Sequence, residues 1–230
     1  MTVLVVGASG ATGSKLVEQL LTRKHKVKVI VRSLKNLPDS WKINDDLEII
    51  TASVLELSDA EMRKIVSDCN AVASCLGHNL TWKGVYGQPR KLVTDATRRL
   101  CNAIKSNNLH SPTKFVLMNT TGNRNRDLNE PISFAQKCVI GLLRLLLPPH
   151  VDNEKAADYL RTLAGKNNNS IEWVAVRPDG LINEDKVTEY EIICCCHESL
   201  NTSQVAAVKT TLRRKHYFIG HQQKRDIYLM

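Results

Sequence analysis

MTVLVVGASGATG, residues 1–13, decides how the rest of the chain is read. Val3 to Val6 is an unbroken apolar run that stops at glycine, which suits a strand buried on both faces. From Thr12 to Arg23, the pairs Leu16 and Leu20, and Val17 and Leu21, recur at i, i+4 and predict an amphipathic helix. Between strand and helix stands Gly7-Ala8-Ser9-Gly10-Ala11-Thr12-Gly13. Gly7 lets the chain turn tightly out of the strand. Gly10 bares the backbone to a pyrophosphate, and Gly13 lets the helix pack close to the sheet. The helix N-terminus adds unpaired N–H groups and a partial positive charge for the phosphates. In this strand–turn–helix setting the three glycines read as a dinucleotide-phosphate loop. The spacing differs from that of the ATPase phosphate loop, and no Gly-Lys-Ser/Thr follows, which disfavours triphosphate hydrolysis.

The same alternation continues downstream. Val27–Val31, Leu47–Ile50, Ala71–Leu76, Phe115–Met118 and Ile171–Val176 read as strands. Helices are expected from Ser58, with Glu61 completing a capping box, to about Ser67, and from Pro89 or Arg90 to Ser106. Two more are expected over Ile132–Leu147 and Val151–Ala164, with Asp152 near the start of the second and Gly165 as its stop. Asn119–Pro131 reads as a loop. Strands alternating with helices imply βαβ units and a doubly wound parallel α/β sheet. Ligands in such sheets bind beyond the carboxyl ends of the strands. Those ends are Gly7, Arg32, Thr51–Val54, Cys75–Gly77, Asn119–Gly122 and Arg177–Gly180.

The chain's 230 residues fit one large domain, and 43% hydrophobic with 24% charged residues excludes a disordered chain. The apolar run Cys138–Pro149 is broken by Arg144 and closed by two prolines. It is too short for a span of about 20 apolar residues, so no membrane partner is expected. The N-terminus lacks the basic start of a signal peptide and is expected to be that of the mature protein. The seven cysteines are an odd count and follow no zinc spacing, which fits a reducing, cytoplasmic location and no metal site. Cys194-Cys195-Cys196 reads as a continuing strand. The net charge of +9 is spread, with no basic block longer than Arg213-Arg214-Lys215. That favours an anionic small-molecule ligand over specific nucleic-acid binding.

The end of the second strand bears on which dinucleotide. An acid there would bond the ribose 2′-hydroxyl of NAD; this chain has Val31-Arg32-Ser33 and no acid until Asp39. Arg32 can pair with a 2′-phosphate in a fork, with Ser33 donating to it and Lys35 nearby, or it is a solvated surface arginine. The first reading gives NADP(H) as the cofactor.

GASGATG, VRSLKNLP, SCLGH, NEKAADYLR and IEWVAVRPDGL, in that order, resemble the atypical short-chain dehydrogenase/reductase family. Within it the chain is most similar to the NmrA-like and biliverdin reductase B (flavin reductase)-like proteins, over about residues 2–190. The resemblance implies a Rossmann-like doubly wound parallel sheet with helices on both faces. Residues 1–190 would be the NAD(P)-binding domain, with a divergent tail at 191–230 packed on it. It also implies that Gly7–Gly13 binds pyrophosphate and that Arg32 and Ser33 meet the adenosine phosphate. Val54, beside Ser53, lies near the adenine, and Ser53 departs from the acid that relatives often carry. Leu76 and Gly77 line the middle of the cofactor. Thr120 and Thr121 meet the nicotinamide, and Arg177 and Pro178 close that side.

Most short-chain dehydrogenases use a Tyr-x-x-x-Lys pair to exchange a proton with a carbonyl. None of the five tyrosines has a lysine four residues on. What remains is hydride transfer to a small flat or conjugated acceptor of flavin, quinone or tetrapyrrole type, which the protein chiefly orients. The alternative is a non-catalytic NADP(H) sensor of the NmrA kind that acts on a protein partner. Thr121 is the best hydroxyl for the catalytic place: it holds the carboxamide or a substrate oxygen, or simply bonds its own strand end. His78 and His150 read as proton donors or, more conservatively, as solvated loop histidines. Trp82 and Tyr86 either stack on the acceptor or cover the core. After Tyr190 the text departs from relatives; Thr188–Ile193 is read as a strand, Thr202–Arg214 as a helix and His216–Ile219 as a strand.

Overall fold

The computed structural model describes residues 1–79, 81–120, 123, 133–164, 169–178, 191–195 and 204–211. The chain runs β1 Thr2–Val6, α1 Ala11–Thr22, β2 Lys26–Val31, α2 Asp39–Lys42, β3 Leu47–Thr51, α3 Asp59–Val66 and β4 Ala71–Ser74. It continues through α4 Trp82–Tyr86, α5 Leu92–Ser106, β5 Thr113–Met118, α6 Phe134–Leu146 and α7 Pro148–Tyr159. A π-helical turn Leu160–Ala164 follows, then β6 Ile171–Pro178, β7 Glu191–Cys195 and β8 Gln204–Thr211. The strands form one sheet in the order β3-β2-β1-β4-β5-β6-β8-β7. β1 to β6 pair in parallel, the Rossmann arrangement, with the chain switching direction across the sheet between β1 and β4.

Both faces of the sheet are covered, and β1 shows how. Its side chains alternate, as every strand's do. Leu4 and Val6 join Val72, Phe115 and Leu117 against Met62 of α3, Leu100 and Ile104 of α5, and Ala156 of α7. Val3 and Val5 join Val27, Val29 and Ala73 against Val17 and Leu20 of α1 and Trp41 of α2. That double burial is why β1 reads as a continuous apolar run. The expected capping box of α3 is formed: Glu61 N–H donates to Ser58 Oγ (3.2 Å), and Ser58 N–H donates to Glu61 Oε2 (2.7 Å).

Three expectations change. The helix expected over Thr202–Arg214 is strand β8 over Gln204–Thr211, parallel to β6 and antiparallel to β7. Ala206 and Ala207 look helical, but Val205, Val208, Thr210 and Thr211 are β-branched, and Val208 and Thr210 pair with β6 on one side and β7 on the other. His216–Ile219 lies outside the described residues. β7 covers Glu191–Cys195, so Cys194 and Cys195 lie in a strand as expected, while Thr188–Tyr190 and Cys196 lie outside the described residues. The two prolines at 148 and 149 open α7, where a missing N–H costs nothing. Finally, the loop after β4 contains α4, and α2 buries Trp41. Among the described residues no helix is long and apolar enough to cross a membrane.

Candidate nucleotide-binding site

The carboxyl ends of β1, β2, β4, β5 and β6 form one edge of the sheet, and the strand register places the expected site residues along it. Val6 is level with Ile30 and with Ser74, so Ala8 and Arg32 leave adjacent strands at the same height. Ser74 is level with Leu117, and Met118 with Val176. Leu117 is also level with Ala175, so Gly77, Thr120 and Pro178 each stand three residues beyond the row Ser74, Leu117 and Ala175.

The glycine loop divides its labour. Gly7 has φ +78°, and a Cβ there would lie 2.5 Å from the Cys75 carbonyl oxygen. A Cβ on Gly13 would lie 2.2 Å from the Gly7 oxygen, so α1 packs onto the loop only because residue 13 is glycine. Gly10 is different: its Cβ would meet the Gly7 oxygen at 3.3 Å and nothing else within 4 Å. The space in front of Gly10 is open, a bare cradle at a helix N-terminus. Among the described residues no side chain caps α1, so its first N–H groups are left for a ligand. The residues fit a dinucleotide pyrophosphate.

Ala8 is buried, while Ser9, Gly10 and Ala11 are exposed and Thr12 is half-buried. Arg32 is exposed and has no ion-pair partner among the described residues. Ser33 Oγ accepts the Lys35 N–H (3.2 Å), which curls the loop back beside Arg32. Ser53 closes the turn after β3 by accepting the Glu56 and Leu57 N–H groups. Val54 behind it is buried in the core with Ile30. Leu76 packs against that same core, and Gly77 is exposed with open space where a Cβ would stand.

At the far side the edge is polar and buried. Asn119 donates from Nδ2 to the Asn153 carbonyl (3.1 Å), and its Oδ1 accepts from Thr120 N–H (2.8 Å) and from Asn123 Nδ2. Arg177 Nη1 donates to the Asn123 carbonyl (2.7 Å) and is 5% exposed, so it clamps the loop after β5. Thr120 is exposed and Pro178 half-buried. Thr121 lies outside the described residues.

The first turn of α7 holds this region together. Asp152 is 2% exposed. Its Oδ2 accepts the Val93 N–H (2.8 Å) and its Oδ1 the Thr94 N–H (3.0 Å), so a residue from another helix caps α5. The same Oδ2 bonds His78 Nε2 at 2.8 Å. Asn153 beside it bonds Asn119, and Glu154 holds Arg144 of α6 in a two-pronged pair at 2.8 Å each. The reading of His78 as a solvated loop histidine is thus corrected: its side chain is 6% exposed, because the buried carboxylate needs a third donor. His150 is also shielded, at 10%, and burial pushes its imidazole below the usual range. Sequence reading missed this hub because Asp152 resembles an ordinary first-turn acid; only a contact over 74 residues reveals it. Trp82 lies on Tyr86, with ring centroids 4.7 Å apart, and is 82% exposed. Tyr86 Oη donates to the Leu146 carbonyl of α6 (2.9 Å). No group of three or more metal-ligating side chains occurs among the described residues.

A Rossmann sheet with a bare glycine cradle at its first turn defines a nucleotide-binding oxidoreductase-like fold. The family described as NAD(P)H-binding matches residues 7–209, and the chain belongs to that family. A curated relative is an uncharacterized chloroplastic protein of Arabidopsis thaliana, 29% identical over 182 residues. That match takes in 79% of this chain and 60% of the plant protein, so the chain spans about three-fifths of its relative. Among solved structures, a wide-type short-chain dehydrogenase/reductase from Veillonella parvula in complex with NADP superposes with a TM-score of 0.64 at 16% identity. The match covers 94% of this chain and 96% of that one. An oxidoreductase from Lactococcus lactis gives 0.60 at 17%, covering 84% and 75%. A UDP-glucuronic acid 4-epimerase from Bacillus cereus, bound to NAD and UDP-glucuronic acid, gives 0.57 at 22%, covering 77% and 56%. The family match shows the NAD(P)H-binding family, and the solved structures share its fold.

Proposed function

We propose that the protein is an NADPH-dependent reductase that passes a hydride to a small flat or conjugated acceptor. The observation that carries the NADPH preference is Arg32. It leaves β2 exposed, free of an ion pair among the described residues, and level with the glycine loop on the neighbouring strand. A guanidinium there forms a forked pair with a 2′-phosphate, and no acid stands in its place to bond a 2′-hydroxyl. When bound, the cofactor supplies the hydride. Gly7–Gly13 would hold the pyrophosphate, with Val54 toward the adenine, Leu76 and Gly77 along the middle, and Thr120, Thr121, Arg177 and Pro178 around the nicotinamide. In this reading Arg177 acts by fixing the loop that carries Thr120 and Thr121, since its Nη1 is spent on the Asn123 carbonyl. Trp82 offers an exposed aromatic face on which a flat acceptor can stack. A cytoplasmic location and a lack of specific nucleic-acid binding are part of the same proposal.

The test is NADPH consumption by the purified chain with a panel of flavins, quinones and biliverdin. Turnover with at least one supports the reductase. Tight NADPH binding without turnover on any of them would favour a sensor that acts on a protein partner. That second reading is favoured by the absence of a Tyr-x-x-x-Lys pair from the sequence.

A further inference from the structure

Reduction of a carbonyl needs a proton as well as a hydride, and the side chains at the cofactor edge narrow its source. Cys75 is a poor donor, because burial pushes its thiol up to about 11 and disfavours the thiolate that donation would leave. The Tyr86 hydroxyl is spent on the Leu146 carbonyl. Arg177 is buried and clamps a loop. Among the described side chains there, His78 stands one residue beyond Gly77 and four beyond the end of β4. Its Nε2 is committed to Asp152 at 2.8 Å, and Nδ1 has no partner among the described residues. Asp152 is itself fixed by two backbone N–H groups of α5, so the ring cannot turn without losing a buried hydrogen bond.

We propose that His78 is the proton donor of the reaction, with Asp152 as its positioning residue, and that the acceptor is consequently a conjugated carbonyl compound such as an α-dicarbonyl or a quinone. This rests on the NADPH-reductase reading. Asp152 keeps the hydrogen on Nε2, so Nδ1 is the nitrogen that gains and loses a proton. When hydride forms a C–H bond at the carbonyl carbon, the π pair moves to oxygen. The Nδ1–H bond breaks as the O–H bond forms, leaving the imidazole neutral, and solvent returns the proton. One NADPH and one proton thus convert C=O to CH–OH. A flavin spreads the charge left by hydride over its ring system and has less need of such a donor.

The experiment uses the whole chain and His78→Gln, whose amide still donates to Asp152 but carries no exchangeable acid. Three quantities are read: NADPH affinity by calorimetry, the rate of phenanthrenequinone reduction, and the histidine nitrogen signals of the ¹⁵N-labelled protein without cofactor. The proposal expects NADPH affinity within about twofold of wild type and a quinone rate lower by at least about 100-fold, the lower range for general acid catalysis. It also expects an Nε2–H tautomer for His78 that Asp152→Asn releases. A quinone rate in His78→Gln within threefold of wild type, or a neutral His78 carrying its proton on Nδ1, would overturn it. So would a wild-type chain that binds NADPH but ignores the quinone, and that result leaves the cofactor reading standing. A wild-type chain that does not bind NADPH would overturn both.

Discussion

Gly10, Gly13 and Arg32 lie beyond the carboxyl ends of two neighbouring strands but answer to different forces, and substitution separates them. Gly10→Val meets only the Gly7 oxygen, so the fold is expected to survive while the side chain fills the pyrophosphate cradle and binding of NADPH and NADH is lost. Gly13→Ala drives a Cβ to 2.2 Å from the Gly7 oxygen and is expected to lower the melting temperature instead. Circular dichroism with calorimetry distinguishes the two. Arg32→Ala is expected to weaken NADPH by about 1.5–3 kcal/mol, the worth of a hydrogen bond to a charged group, and to leave NADH nearly unchanged. Equal losses for both cofactors would contradict the 2′-phosphate assignment. Gly7, Gly10, Gly13 and Arg32 were legible in the sequence because each sits within a short span whose backbone demands are local. The pairing of His78 with Asp152, and the Asn119–Asn123–Arg177 clamp, were not, because both join residues far apart in the chain.

The helices differ in what holds them. α3 rests on its capping box, in which hydrogen bonds from Ser58 lower the Glu61 carboxyl below the usual carboxylate range. A depressed folded value means that this contribution is present above the ordinary carboxylate value and lost as pH falls through the folded one. Glu61→Gln keeps the box and is expected to remove that part of the acid dependence, read from urea midpoints across the acid range. Ser58→Ala is expected to cost about 0.5–2 kcal/mol at neutral pH. α5 is held by burial: Leu100→Ala at 0% exposure is expected to cost about 2–5 kcal/mol. Leu145 of α6 is 79% exposed, and Leu145→Ala is expected to stay within about 0.5 kcal/mol in the same urea titration. The strand types of β1 to β6 and the helices α1, α3 and α5 were legible because hydrophobic period and burial agree there, whereas the short α2 and α4 carry too few residues to show a period. β8 was not, because its Ala-rich centre has no helical stripe to contradict and its strand identity comes from the open edge of β6.

Across the molecule, burial decides which thiols react. Burial pushes Cys69 and Cys101 up to about 12 and Cys75 up to about 11, while Cys138 is exposed on α6. Of these four, iodoacetamide at neutral pH is expected to label Cys138 alone until the protein unfolds, as mass spectrometry would show. The raised values also set an alkaline limit. Stability from the neutral thiols is complete below the ordinary thiol value of 9.0 and is lost as pH rises from there through about 11 to 12. The strand switch, the open cradle at Gly10 and the exposed Arg32, which has no ion pair among the described residues, support the central proposal that this chain holds NADPH along the carboxyl edge of its sheet. Calorimetric titration of the wild-type chain with NADPH and with NADH tests it most directly. The account predicts saturable one-to-one binding with NADPH at least about tenfold tighter, which corresponds to about 1.4 kcal/mol. Absence of binding by either cofactor, or NADH binding as tightly as NADPH, would contradict it.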